Sequence, residues 1–279
     1  MAKEPLLIDV EKAIGDKNPR LLKTLPGFVI RYLKRILHQD DLNEIITRFH
    51  DQEGLDFVAK CLEYMGINYT AEGLENIPEQ GRFLFVSNHP LGGLDGLVFL
   101  DVVGRIFPDV KFPVNDFLLN IRNLDPVFLP INKHGSQSRE AVRAIEDAYA
   151  SDTQILYFPA GLCSRKIKGK IMDLEWKKHF ITKAVEHKRD IIPVFFSGRN
   201  SNFFYNLANI RVFLHIRANI EMIYLPNEMF KQKGKSLILR IGKPVPYTFF
   251  DKSRTAGEWA SYVKEMVYAL SDTMNKRND

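Results

Sequence analysis

The stretch "FLFVSNHPLGGLDGLVFLD", Phe83 to Asp101, decides how the rest of the chain is read. It opens on an apolar run of strand length that stops at Ser87 and gives way to Asn88, His89 and Pro90. Gly92, Gly93 and Asp95 come next, and a second apolar stretch begins. An apolar run bounded by turn residues and followed by a helical pattern reads as a buried strand feeding a helix. A histidine and an aspartate then stand at the strand's carboxyl end. Six residues apart on a regular helix would not bring their side chains together, but a turn built on Pro90, Gly92 and Gly93 can, because glycine tolerates the backbone geometry of a fold-back. A carboxylate on one ring nitrogen fixes the tautomer and stabilises the imidazolium, leaving the other nitrogen to take a proton from a hydroxyl. The plainer alternative is a structural histidine in a turn, with Asp95 capping the helix that starts at Gly96.

Outward from this stretch the same alternation recurs. Strands are expected at Arg82–Ser87, Lys111–Asn115, Pro126–Ile131, Gln154–Phe158, Asp190–Phe196, Asn219–Leu225 and Ser236–Gly242. Amphipathic helices are expected at "SREAVRAIEDAYA" and "EWKKHFITKAVEH", the second capped by Asp173. Strands alternating with helices imply an α/β fold, a mostly parallel sheet flanked by helices. The chain before Gly66 reads as helical. Phe28, Val29, Tyr32, Leu33, Ile36 and Leu37 share one helical stripe, and Arg31, Lys34, Arg35 and His38 another. Two units follow from this: residues 1–72 as an N-terminal helical, membrane-associating segment, and 73–279 as the domain that carries the chemistry.

Composition narrows the classes. Hydrophobic residues make up 45% and charged residues 26% of the 279, which requires a packed core. The formal charge of +5 suits an anionic membrane surface or substrate and does not mark a nucleic-acid binder. Two distant cysteines, Cys61 and Cys163, argue against a disulfide framework and for a reducing compartment. The seven histidines lack metal-ligand spacing, so no metal is expected, and "HPLGGLDG" lacks the spacing and the lysine of a nucleotide-binding loop. No stretch approaches the eighteen apolar residues of a membrane-spanning helix. The segment "NFFYNLANIRVFL", Asn202 to Leu214, is rich in aromatics and reads as packing on the sheet or lining an acyl groove.

In open α/β sheets ligands bind beyond the carboxyl ends of the strands. Asn88 and His89 end one strand, Lys133 follows another, Gly161, Ser164 and Arg165 follow a third, and Arg199 a fourth. Arg165 suits a phosphate or carboxylate, because a guanidinium grips either in bidentate fashion; Lys133 and Arg199 are further candidates for the same task. The basic run of Lys166, Lys168 and Lys170 after Arg165 could meet an anionic headgroup or the phosphopantetheine arm of a donor, with Lys168 and Lys170 reading rather as a solvated face. Cys163 has no fixed base evident beside it, so a bystander thiol is favoured over a nucleophile.

Taken together, "NHPLGGLD", "FLPINKHG" (Phe128 to Gly135), "FPAGLCSR" (Phe158 to Arg165) and "IIPV" (Ile191 to Val194) resemble, in order and spacing, the four motifs of the lysophosphatidic acid acyltransferase-like (glycerolipid acyltransferase) superfamily. The chain departs from the common pattern in having five residues rather than four between His89 and Asp95, and Ala160 where a glutamate is usual. Both departures, with "DLEWKKHF" (Asp173 to Phe180), resemble a hemolysin-like branch that includes O-acyltransferases of ornithine- and glycine-type aminolipids. The resemblance implies an enzyme that moves a fatty acyl group from acyl-ACP or acyl-CoA to the hydroxyl of a lyso-lipid, with no cofactor beyond that co-substrate. His89 would be the general base, Asp95 its orienting partner, and Asn88 with N–H groups near Gly161 the oxyanion contacts. It places such an enzyme on the cytoplasmic face of the membrane, bound peripherally. Two other readings are a non-catalytic lipid-surface binding protein and an acyl-thioester hydrolase.

Overall fold

The computed structural model of the chain describes residues 5–114, 121–130 and 139–271. Five short helices come first: α1 (Val10–Lys17), α2 (Pro19–Thr24), α3 (Gly27–Ile36), α4 (Gln39–Arg48) and α5 (Gly54–Tyr64). Then follow β1 (Asn68–Glu72), β2 (Phe83–Ser87), α6 (Gly93–Gly104), β3 (Val110–Val114), β4 (Phe128–Pro130), α7 (Arg139–Ala150) and β5 (Gln154–Tyr157). A hairpin of β6 (Arg165–Ile167) and β7 (Lys170–Met172) precedes α8 (His179–Glu186) and β8 (Asp190–Phe196). The chain closes with α9 (Asn202–Phe213), α10 (Leu225–Phe230), β9 (Ser236–Ile241) and α11 (Ala256–Ala269).

The main sheet has the order β1-β9-β8-β2-β5-β3-β4. From β8 to β4 all neighbours are parallel; β9 turns antiparallel to β8, and β1 runs parallel to β9. Pleating sends alternate residues of β2 to opposite faces. Phe83 and Phe85 enter one core with Phe57, Val58 and Phe99, while Leu84 and Val86 enter the other with Phe180, Ala260 and Val263. All five β2 residues are buried, which is why its sequence runs apolar from Phe83 to Val86 rather than alternating. The expected α/β sheet between helices is the observed one.

The helices before β1 divide by role. Ile45, Ile46, Phe57, Val58, Cys61 and Leu62 of α4 and α5 sit in the same core as Phe85. In α3, Ile36 is buried and Phe28 and Tyr32 stay outside. Strand β1 carries the polar sequence "NYTAE" and was not expected; its register with β9 holds it at the sheet edge. The strand expected at Asn219–Leu225 is instead a 3-10 turn over Ile220–Tyr224 running into α10. Ile220, Met222 and Tyr224 alternate as a strand would, but Glu221 between them is wholly buried and ion-paired to Arg165 and Arg211. The second expected amphipathic helix starts late, at His179, and Asp173 does not cap it.

One buried cation ties the amino ends of two central strands together. Arg189 is fully buried with no carboxylate in ion-pair contact among the described residues, and its guanidinium donates to the carbonyls of Tyr149 (2.8 Å), Thr153 (2.8 Å), Ala148 (3.0 Å), Phe83 (3.3 Å) and Ser151 (2.5 Å). Burial pulls its pKa down to about 10, with Arg82 adding to the effect. Arg189→Met would strand several buried carbonyls, and each costs roughly 1–3 kcal/mol. The variant should lose at least about 3 kcal/mol of stability. The check is urea denaturation: the midpoint falls while the slope m is unchanged.

Candidate functional site

Strand β2 delivers its last residues into a tightly held turn. The Asn88 amide is used at both ends by β8: Nδ2 donates to Phe196 O (2.9 Å) and Oδ1 accepts from Phe196 N–H (2.7 Å). It splices two strands together and is not the oxyanion contact expected of it. His89 is held through its main chain. Its N–H donates to Asp173 Oδ1 (3.2 Å), and its carbonyl accepts from the Ser164 N–H (2.7 Å). The imidazole stacks on Phe158 with ring centroids 4.0 Å apart. Thus the backbone and the ring face are both fixed before any substrate arrives.

Asp95 lies in the first turn of α6 and is wholly buried, whereas the His89 side chain keeps 16% exposure. Its Oδ2 accepts the Leu91 N–H (2.9 Å) and its Oδ1 the Gly96 N–H (3.1 Å). These amides and the positive end of α6 hold the buried charge in place. Asp95 Oδ1 is 3.1 Å from His89 Nδ1, an ion-pair contact whose alignment falls short of a full hydrogen bond. The fold-back depends on Gly92, whose φ is +86°. A Cβ there would also meet Leu225 at 3.1 Å and Cys163 Sγ at 3.3 Å. The pairing of histidine and aspartate expected across a glycine turn is therefore present.

Electrostatics at His89 are a contest. Burial acts to lower its pKa, but the Asp95 charge and the hydrogen-bonding Cys163 side chain outweigh it, holding the imidazole well above its usual range. Cys163 is fully buried against this ring. A base does stand beside the thiol, contrary to the expectation from sequence.

Asp173 is the functional residue that sequence reasoning misassigned as a helix cap. Its Oδ1 accepts the Ser164 hydroxyl (2.6 Å) as well as the His89 N–H, and its Oδ2 accepts Trp176 Nε1–H (2.9 Å). Burial pushes its carboxyl above the ordinary range, although the Ser164, Trp176 and His89 bonds pull the other way. Lys264 and Tyr268 of α11 bind the main chain on either side of it. The signal for this role lay in "DLEW", where the aspartate and tryptophan are three residues apart and the aspartate stands six before the helix begins.

The remaining expected site residues separate. Ser164 belongs to the His89 scaffold. The Gly161 N–H closes its own turn on Phe158 O (3.0 Å). Arg165 is buried: Nη1 donates to Cys163 O (2.6 Å), Nη2 to Glu221 Oε1 (2.8 Å), and the guanidinium lies over Phe204. It fastens the 220–224 turn to the hairpin and is not open to a substrate anion. Ala160 is buried with Leu84, Val86 and Trp176, so it lines the core and not a crevice. Arg199 is exposed and donates to Asn202 Oδ1; the neighbouring Asn200 Nδ2 donates to Pro90 O (3.1 Å). Lys133, with the rest of the second motif after Pro130, lies outside the described residues.

A histidine in contact with a buried carboxylate at the carboxyl end of a central strand marks the candidate site, and the family of the chain gives its class. A family model described as Acyltransferase matches residues 12–276, and the chain belongs to that family: it is an acyltransferase. It is 49% identical over 265 residues to a lyso-glycine lipid O-acyltransferase of Bacteroides thetaiotaomicron, covering 95% of this chain and 97% of that one. It is also 49% identical over 265 residues to a lyso-glycine lipid O-acyltransferase of Phocaeicola vulgatus, covering 95% of each. Among solved structures it is similar to the 1-acyl-sn-glycerophosphate acyltransferase of Thermotoga maritima, with a TM-score of 0.48, 18% identity and coverage of 94% and 91%.

A general base must be unprotonated to work, so with His89 in that role its raised pKa would set the lower pH limb of kcat/KM. That limb should rise through an apparent pKa above the ordinary histidine value of about 6.5. In Asp95→Asn the raising charge is gone, so the limb should move to lower pH while the plateau falls by on the order of 100-fold. A pH profile of both proteins is the check.

Proposed function

We propose that this acyltransferase moves a fatty acyl group from a thioester donor, acyl-ACP or acyl-CoA, to the hydroxyl of a lyso-lipid of the lyso-glycine kind. The observation that carries the reading is the His89–Asp95 contact at the end of β2. The acceptor class is supported by the printed activity of relatives that are 49% identical over nearly the whole chain.

In this reading the step runs as a direct transfer. His89 takes the proton of the acceptor hydroxyl as its oxygen attacks the thioester carbonyl. Asp95 stabilises the imidazolium that forms, which is the same effect that raises the resting pKa. The tetrahedral centre collapses with cleavage of the C–S bond, and the leaving thiolate takes the proton from His89. An ester and a free thiol result, with no metal or redox group needed for balance.

The contact between Cys163 and His89 favours one second reading, in which Cys163 accepts the acyl group first. Burial argues against it, since Cys163 has no exposed surface and the imidazole does. The absence of any helix long and apolar enough to cross a membrane, among the described residues, is compatible with peripheral attachment to the cytoplasmic face.

His89→Ala should lower transfer about 10²–10⁴-fold with the fold retained. Cys163→Ala should keep most of the activity. Assays of purified variants with one labelled donor, an N-(3-hydroxyacyl)glycine acceptor and lysophosphatidic acid are the check. A trapped acyl-protein lost in Cys163→Ala would establish the covalent route instead, and strong preference for lysophosphatidic acid would remove the aminolipid acceptor.

A further inference from the structure

Half of the aromatic segment after Ser201 does not pack. Phe204, Tyr205 and Ala208 of α9 are buried, but Phe203, Ile210 and Leu214 form one exposed stripe, and Phe213 beside it is 80% exposed. Isolated exposed apolar residues are ordinary; a contiguous cluster of large ones is not.

This cluster is continuous with a second one on α3, far away in sequence. Phe203 meets Tyr224 edge to face at 5.0 Å, and the Tyr224 hydroxyl is 2.9 Å from that of Tyr32. Tyr32 in turn lies one helical turn from Phe28, which is 65% exposed. Phe28, Val29 and Tyr32 line an open hollow of about 490 Å³ together with Arg31 and Arg35. The hollow is cationic, since Arg31 and Arg35 that line it are both exposed, and Arg217 in the turn after α9 is exposed as well. No aspartate or glutamate occurs from Lys17 to Gln39, or from Ile191 to Ile220. An apolar surface edged by arginines, built from segments that carry no carboxylate of their own, is complementary to a bilayer with anionic headgroups.

We propose that α9, the turn that follows it and α3 together form the face by which the enzyme docks on an anionic lipid bilayer, with Phe213 and Leu214 entering the acyl region. The face is rigidly joined to the catalytic turn. Arg211 of α9 and Glu221 pair at 2.9 Å, Glu221 pairs with Arg165 at 2.8 Å, and Arg165 follows directly on Ser164, which holds His89. Docking here therefore fixes the orientation of the site to the surface in which a lyso-lipid resides. The proposal rests on the lyso-lipid reading only for the choice of a bilayer, and its test reads binding rather than turnover, so the two fail separately.

The test uses the full chain and vesicles of phosphatidylglycerol and phosphatidylethanolamine, with phosphatidylcholine vesicles alongside. Phe213→Glu combined with Leu214→Glu should weaken co-sedimentation with the anionic vesicles by roughly 100-fold, the loss of two side-chain insertions. The thermal midpoint should stay unchanged, because both positions face solvent. If that variant does not fold, Phe213→Cys carrying an environment-sensitive dye gives the answer, since Cys61 and Cys163 are buried and escape labelling. The dye should shift to the blue on adding anionic vesicles and be quenched by spin labels placed along the acyl chains. A folded double variant that binds like the parent would overturn the proposal. So would a dye that stays unshifted while the protein co-sediments. A concentration-dependent shift without lipid would show a second copy covering the face and would also overturn it.

Discussion

A carboxylate with no access to water needs its charge answered from within, and Asp95 is answered by two amides, a helix start and His89. That requirement organises the molecule around it. Gly92 must adopt a positive φ for the helix to begin where it does. Leu91 is driven inward between the turn and Gly198, where it occupies the space a Cβ would need. Asn88 must splice β2 to β8 before the chain can leave the sheet. The site is the place where a buried strand, a helix start and two loops are forced to agree.

A second buried carboxylate makes the arrangement rigid. Asp173 binds the N–H of His89 and the hydroxyl of Ser164, and Ser164 in turn binds the carbonyl of His89. The histidine is thus clamped from the third motif as well as from its own turn, and α11 closes the clamp through Tyr268 and Lys264. With the imidazole also stacked on Phe158, little rotation is left to lose when substrate binds. Preorganisation here comes from main-chain contacts, which substitutions of neighbouring side chains disturb least.

Much of this was legible because buried parallel strands announce themselves. β2 and β8 read as continuous apolar runs, and the polar residues at their carboxyl ends marked the site. What escaped had physical reasons. β1 is a polar edge strand whose pairing with β9 is a long-range fact. Glu221 sits inside an alternating apolar pattern, and only the partners Arg165 and Arg211, distant in sequence, explain why that pattern folds as a turn. Arg165 looked like an anion-binding residue for the same reason it is a structural one: a guanidinium beside a strand end seeks a carboxylate, and the protein supplies its own. Lone-residue reasoning also misread Asp173, because an aspartate ahead of a helix serves as a cap or as a scaffold with the same local sequence.

The Asp95 charge, with Cys163 beside it, holds the pKa of His89 above that of an ordinary histidine. Titration of the enzyme labelled at histidine Cε1, followed by NMR and assigned with His89→Gln, measures this without any substrate. The account predicts a His89 resonance that titrates clearly above about 6.5 and moves down in Asp95→Asn. A His89 pKa at or below the ordinary value, or one indifferent to loss of Asp95, would contradict it.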